Sequence, residues 1–186
     1  TGAHTFDLGF AKTDMIFGIG LQSQEHIVLV GSILQDSGSF DVATAVLTPQ
    51  GVLDTAYGDG GIRVFDADGD QGAGSSQSIG KNVDIDASDN LFIGTQFSQN
   101  STNHDFGVIK TSANGTVDSS FGTNGVAHIT EDPNENFMVG TLLDNEGRPM
   151  IVTTAQGRHN QDLALGRLTT AGTVDARFRR DGNIQN

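Results

Sequence analysis

The chain has 186 residues with 23 acidic and 10 basic side chains, and its net charge of −13 disfavours nucleic acid and anionic membrane surfaces as partners. It has no Cys, which removes disulfides and thiolate metal sites, and no apolar run approaches the ~18 residues of a membrane-spanning helix. With 25 Gly, 3 Pro and no Trp it is turn-rich without the Pro content of collagen, and it is long enough for one large domain or an array.

Taken in chain order, short apolar or alternating runs bounded by Gly, Asn and Asp recur, and no stretch keeps a helical period. The first group is "GAHTFD" (2–7), "IFGIGLQSQE" (16–25), "HIVLVGSI" (26–33) and "DVATAVLT" (41–48). The second is "GIRVFD" (61–66), "SIGKNVDIDASDN" (78–90), "LFIGTQF" (91–97) and "DFGVIKTS" (105–112). The third is "GVAHIT" (125–130), "FMVGTLLDNEG" (137–147), "PMIVTTA" (149–155) and "DLALGRLTT" (162–170).

Each group ends in the same turn. It reads "GVLDTAYGDGG" (51–61), "GTVDSSFGTNG" (115–125) and "GTVDARFRRDG" (172–182). Asp54, Asp118 and Asp175 occupy one position of that turn, 64 and then 57 residues apart. Asp41, Asp105 and Asp162 precede them by thirteen residues, and Gly61, Gly125 and Gly182 follow by seven. Three markers with one spacing define an internal repeat. The expected architecture is all-β, with antiparallel four-stranded repeats, β-propeller-like and three blades per chain. The expected units are about 2–60, 61–124 and 125–181, with the start of a fourth at 182–186.

The repeated turn is expected to be an inter-blade joint. Asn114-Gly115 suits a two-residue type I′ hairpin turn. The aspartate accepts bonds from the next backbone N–H groups. Tyr57, Phe121 and Phe178 pack inward between successive blades, and the closing glycine relieves strain where the chain crosses to the next unit. The extra residues of the second unit fall mainly in "DADGDQGAGSSQS" (66–78), where an insertion leaves strands intact and unit-specific function would sit.

These residues resemble the delta-sixty repeat, a bacterial family whose units carry a pattern like "DGSLDTSFG" after a "DFALARY"-like strand. The matching pieces are "NGTVDSSFGTNG" with "DFGVIKTS", "QGVLDTAYGDGG" with "DVATAVLT", and "AGTVDARFRRDG" with "DLALGRLTT". Arg179 and Arg180 depart from the pattern, since the other two units carry Gly followed by another residue there. The resemblance implies a propeller-like repeat in bacterial surface or secreted proteins and carries no catalytic motif.

Candidate chemistry is sparse. Paired carboxylates can do acid–base work, but the six repeated aspartates recur in every unit, and one active site does not need three copies, so their expected role is structural. Asp66, Asp68 and Asp70 alternate as in an oxygen-ligand calcium loop. Gln71 and Gln77 stand where an EF-hand needs Gly and Glu, so a solvated acidic loop is the other reading. Calcium is the only cofactor this pattern suggests. His4, His26, His104, His128 and His159 show no metal-ligand spacing, though His104 and His159 precede equivalent strands. Asn100-Ser101-Thr102 and Asn114-Gly115-Thr116 fit glycosylation sequons, which matter in a eukaryotic secretory host. No nucleophile elbow or phosphate-binding glycine motif is present.

The expectation is a non-catalytic secreted or surface module that binds a glycan or protein partner or acts as a scaffold. The alternative is a hydrolase or lyase using a propeller channel. Three blades fall short of the four to eight of closed propellers. The expected state is therefore a homo-oligomer, a dimer of three-blade chains giving six blades, or a fragment of a longer array, to which the Thr1-Gly2 start points.

Overall fold

The computed structural model describes residues 13–65, 77–100, 103–129, 138–156 and 161–178. These residues form an all-β structure in three antiparallel meanders. In the first, β1 (Asp14–Leu21), β2 (Ile27–Leu34), β3 (Phe40–Leu47) and β4 (Ile62–Phe65) pair in sequence order. The second repeats this with β5 (Gln77–Ile85), β6 (Leu91–Asn100), β7 (Asn103–Thr111) and β8 (Val126–Ile129). The third contains β9 (Met138–Leu143), β10 (Pro149–Gln156) and β11 (Gln161–Arg167). A single parallel bridge, Phe40 to Gln77, links the first two meanders, and the described sheets do not close into a ring. No helix among the described residues is long and apolar enough to cross a membrane.

The sheets are layered face to face, and alternation along each strand decides which side chains meet which neighbour. Val28, Val30, Val42, Val46 and Tyr57 of the first sheet form one core with Val83, Leu91, Ile93, Phe97 and Ile109 of the second. Phe92, Phe106, Val108 and Phe121 leave the other face of the second sheet and meet Met138, Ile151 and Leu168 of the third. Each sheet therefore has a leading face, turned to the preceding sheet, and a trailing face, turned to the following one. Fully burying one such side chain stabilises by roughly 1.5–3 kcal/mol, so these two layers are the main cohesion between units.

The repeat phase differs from the boundaries at 60/61 and 124/125. The strand after each joint was expected to open the next unit, yet β4 pairs with β3 through Ala45–Ile62 to Val42–Phe65, and β8 pairs with β7 likewise. The physical reason lies in the joint. Val46 N donates to Gly61 O at 3.0 Å and Lys110 N to Gly125 O at 3.0 Å, which folds the chain back onto the strand it has just left. The first two sheets thus run over 14–65 and 77–129. The first-strand expectation at 2–7 lies outside the described residues, as does the start of a fourth unit at 182–186.

Candidate functional site

The joint begins with a tight turn. Gly51 N, Gly115 N and Gly172 N donate to Thr48 O, Ser112 O and Thr169 O, and the residue after each glycine closes the loop onto the same Thr or Ser. Only the glycine is left-handed, with φ of +77°, +84° and +78°, and Asn114 is not. This is a three-residue loop with a glycine bulge, not the type I′ turn expected at Asn114-Gly115. The asparagine acts through its side chain instead, because its Oδ1 accepts from Thr116 N at 3.1 Å and from Ser112 Oγ at 2.6 Å.

Three aspartates then sit in one environment. Asp54 N, Asp118 N and Asp175 N donate to the carbonyls eight residues back, those of Val46, Lys110 and Arg167, at 2.8–2.9 Å. One carboxylate oxygen accepts from the backbone two residues on: Ala56 N at 3.0 Å, Ser120 N at 3.1 Å and Arg177 N at 3.0 Å. The other meets a cationic or titratable nitrogen: His26 Nε2 at 3.3 Å, Lys110 Nζ at 2.8 Å and Arg167 Nη2 at 2.8 Å. Lys110 and Arg167 occupy one repeat position, which holds Val46 in the first unit. There His26, just before β2, takes that part instead.

Lys110 and Ser120 hold the Asp118 carboxyl down at about 2, against an ordinary 3.8. Burial pushes the Asp175 carboxyl up, but the Arg167 hydrogen bond, the Arg177 backbone N–H and the charges of Arg167 and Arg148 together outweigh it, and the net direction is down. Lys110 also lies over the Phe92 and Phe121 rings, at 5.5 and 5.8 Å, and Arg167 over Phe178 at 4.6 Å. The spacing of Lys110 to Asp118 equals that of Arg167 to Asp175, a signal in the sequence that Val46 conceals.

The aromatic of each joint bears on the next unit's turn. The Tyr57 ring lies against Gly115, where a Cβ would come within 2.9 Å of Cζ, and Phe121 against Gly172, where a Cβ would come within 3.1 Å of Cδ1. Beside these seats the backbone crosses directly: Gly58 N donates to Asn114 O at 3.0 Å and Gly122 N to Ala171 O at 2.8 Å. Arg179 stands at the equivalent position of the third unit and lies outside the described residues. The Tyr57 hydroxyl bonds Thr44 Oγ1 at 2.6 Å, and burial raises its pKa to about 12.

The remaining expected residues are placed as follows. Asp41 is buried at the start of β3, where Oδ2 accepts from Gln35 Nε2 at 2.7 Å. Asp105 holds the same register position opposite Phe97, and the Asp162 backbone pairs with Ala155, its side chain lying outside the described set. Gly61 and Gly125 close the joints with φ of +102° and +90°. Gly182 and the acidic loop of Asp66, Asp68 and Asp70 lie outside the described residues. Among the described residues no three His, Cys, Asp or Glu side chains gather in metal-holding geometry.

Two clasps were not foreseen. Asn82 on β5 imitates a neighbouring strand: its Nδ2 donates to Thr141 O at 2.6 Å and its Oδ1 accepts from Thr141 N at 2.9 Å. Asp84 Oδ2 accepts from Leu143 N at 2.5 Å. The equivalent positions of β1 are Gly18 and Gly20, where backbone packs directly, a Cβ meeting Asn82 Cα at 2.6 Å or Val83 and Ile85 at 2.9 Å. At the rim, Ser23 N donates to Asp89 Oδ1 at 2.6 Å, and Ser23 Oγ bonds the other carboxylate oxygen.

Stacked antiparallel meanders, joined among the described residues by two aromatic-on-glycine seats, define a propeller-type repeat protein. Residues 87–121 match the model of a family described as a domain of unknown function (DUF5122) beta-propeller. The matched stretch runs through β6, β7 and the second joint to Phe121, the pieces that carry the delta-sixty pattern. No curated protein matches the chain.

Proposed function

We propose that the chain is a non-catalytic repeat module of a bacterial secreted or surface protein, binding a glycan or protein partner or serving as a scaffold. The observation that supports this is the use made of its repeated carboxylates. Asp54, Asp118 and Asp175 each spend one oxygen on a backbone N–H and the other on a neighbouring nitrogen, leaving the repeat's most reactive-looking groups committed to the joints. The module works with more than three blades, supplied by a second chain or by a longer array.

A glycan-array screen with and without calcium, followed by product analysis of every bound glycan, tests the reading. Binding with the glycan recovered intact is the expected result. Cleavage of a bound glycan would establish a hydrolase or lyase instead.

A further inference from the structure

The two outer faces of the stack carry exposed apolar side chains at positions that the internal interfaces bury. At the repeat position of Val42 and Phe106, which are 0% and 1% exposed inside the internal interfaces, the third sheet carries Leu163 at 79% exposure. Leu165 and Leu142 are exposed on the same trailing face. The first sheet shows the converse. Ile19 is 71% exposed where its equivalent Val83 is 9% exposed, and Leu21 and Ile16 lie open beside it on β1, while Ile33, Ala43 and Ala45 further across the same leading face are already buried.

The joints match in the same sense. Gly115 and Gly172 seat the rings of Tyr57 and Phe121, whereas the equivalent Gly51 has no atom within 4 Å of its Cβ position. At the far end Phe178 occupies the plug position of Tyr57 and Phe121. Among the described residues, one end has a glycine turn with no ring on it and the other a ring with no glycine turn beneath it.

We propose that the leading face of the first sheet docks the trailing face of the third sheet of a second copy, with Phe178 seated on the Gly51 turn. The proposal rests on the repeat-module reading and names the partner of these two faces. These faces continue an interface the chain already makes twice, so the surface that fits each open end is the chain's own other end. Two copies joined this way satisfy both contacts at once, with six blades about a two-fold axis, and bury both apolar faces.

The test is light scattering of the 186-residue chain at micromolar concentration, with single variants Ile19→Glu and Leu163→Glu. The wild type should run as a dimer, twice the 19.5 kDa of one chain. Each variant should be monomeric with an unchanged far-UV circular dichroism spectrum, because both residues are exposed in the single chain. An equimolar mixture of the two should recover the dimer, since one of its two contacts is then free of either substitution.

A folded wild-type monomer overturns the proposal and gives the open faces to repeat units carried elsewhere. Dissociation by only one variant, or no recovery on mixing, overturns the head-to-tail geometry. A dimer that binds nothing on the glycan array leaves this proposal standing and counts against the binding reading, whereas a glycan-binding monomer does the reverse.

Discussion

The Tyr57 hydroxyl and Thr44 Oγ1 lie 2.6 Å apart in the core between the first and second sheets, both fully shielded from water. The second unit places Phe121 and Val108 at these two positions, so the hydroxyls are present together or absent together. That pattern follows from the cost of a buried polar group without a partner. Tyr57→Phe should therefore destabilise the protein by about 1–2 kcal/mol by orphaning Thr44. Adding Thr44→Val should recover most of the loss, and a double-mutant cycle in urea measures the coupling.

Phe121 is buried, meets Phe92 edge-on at 5.9 Å and sits on the Gly172 turn. Phe121→Ala should cost about 3 kcal/mol through lost burial and the cavity left behind. In a domain of this size that lowers the melting temperature by about 2–4 °C per kcal/mol. Melting temperatures equal to wild type would place the ring outside the joint.

Acid should weaken the joints. The Asp118 carboxyl titrates near 2 in the folded chain, against 3.8 when unperturbed. A carboxyl whose folded pKa lies below its unfolded one stabilises the native state at pH above the unfolded value. That gain is lost as pH falls from about 4 to about 2. The melting temperature should drop through that window, and Asp118→Asn should flatten part of the drop. At neutral pH, Asp118→Ala should cost roughly 1 kcal/mol for its turn hydrogen bonds.

The glycine turns give a paired comparison. Gly51 and Gly115 share a left-handed backbone, but only Gly115 has a ring against it. Both Gly→Ala changes should carry the strain of φ > 0, about 1 kcal/mol. Gly115→Ala should cost at least about 1 kcal/mol more, because the Tyr57 ring must move. Thermal unfolding in the Leu163→Glu background isolates the difference from any dimer contact.

Much of this was legible because the repeat writes it three times. Strand positions, the apolar layering and the joint aromatic follow from alternation and from one spacing shared by Asp54, Asp118 and Asp175. The phase was not legible, because Gly61 and Gly125 signal a turn without saying which strand the chain pairs with afterwards. Only the bonds from Val46 N and Lys110 N reveal the return. The Asn114-Gly115 pair fits two loop types, and the choice shows only in the closure of Ser112 onto Thr116 and in Asn114 staying out of the left-handed region. Asn82 and Asp84 look like ordinary polar residues in an alternating strand. Their role comes from the edge of β9 lying beside them, a contact 59 residues away in sequence. The Lys110 and Arg167 partners were within reach of the repeat alignment, but Val46 at the same position breaks the pattern.

The stacked architecture depends on the seating of Tyr57 and Phe121 on the glycine of the next unit. Tyr57 is the sole tyrosine of the chain, so its ring protons are assignable without ambiguity. A nuclear Overhauser spectrum should show strong cross-peaks from the Tyr57 Hε protons to the Gly115 Hα protons, given a ring within van der Waals contact of that glycine. Absence of those cross-peaks in the folded protein would contradict the joint and the layering built on it.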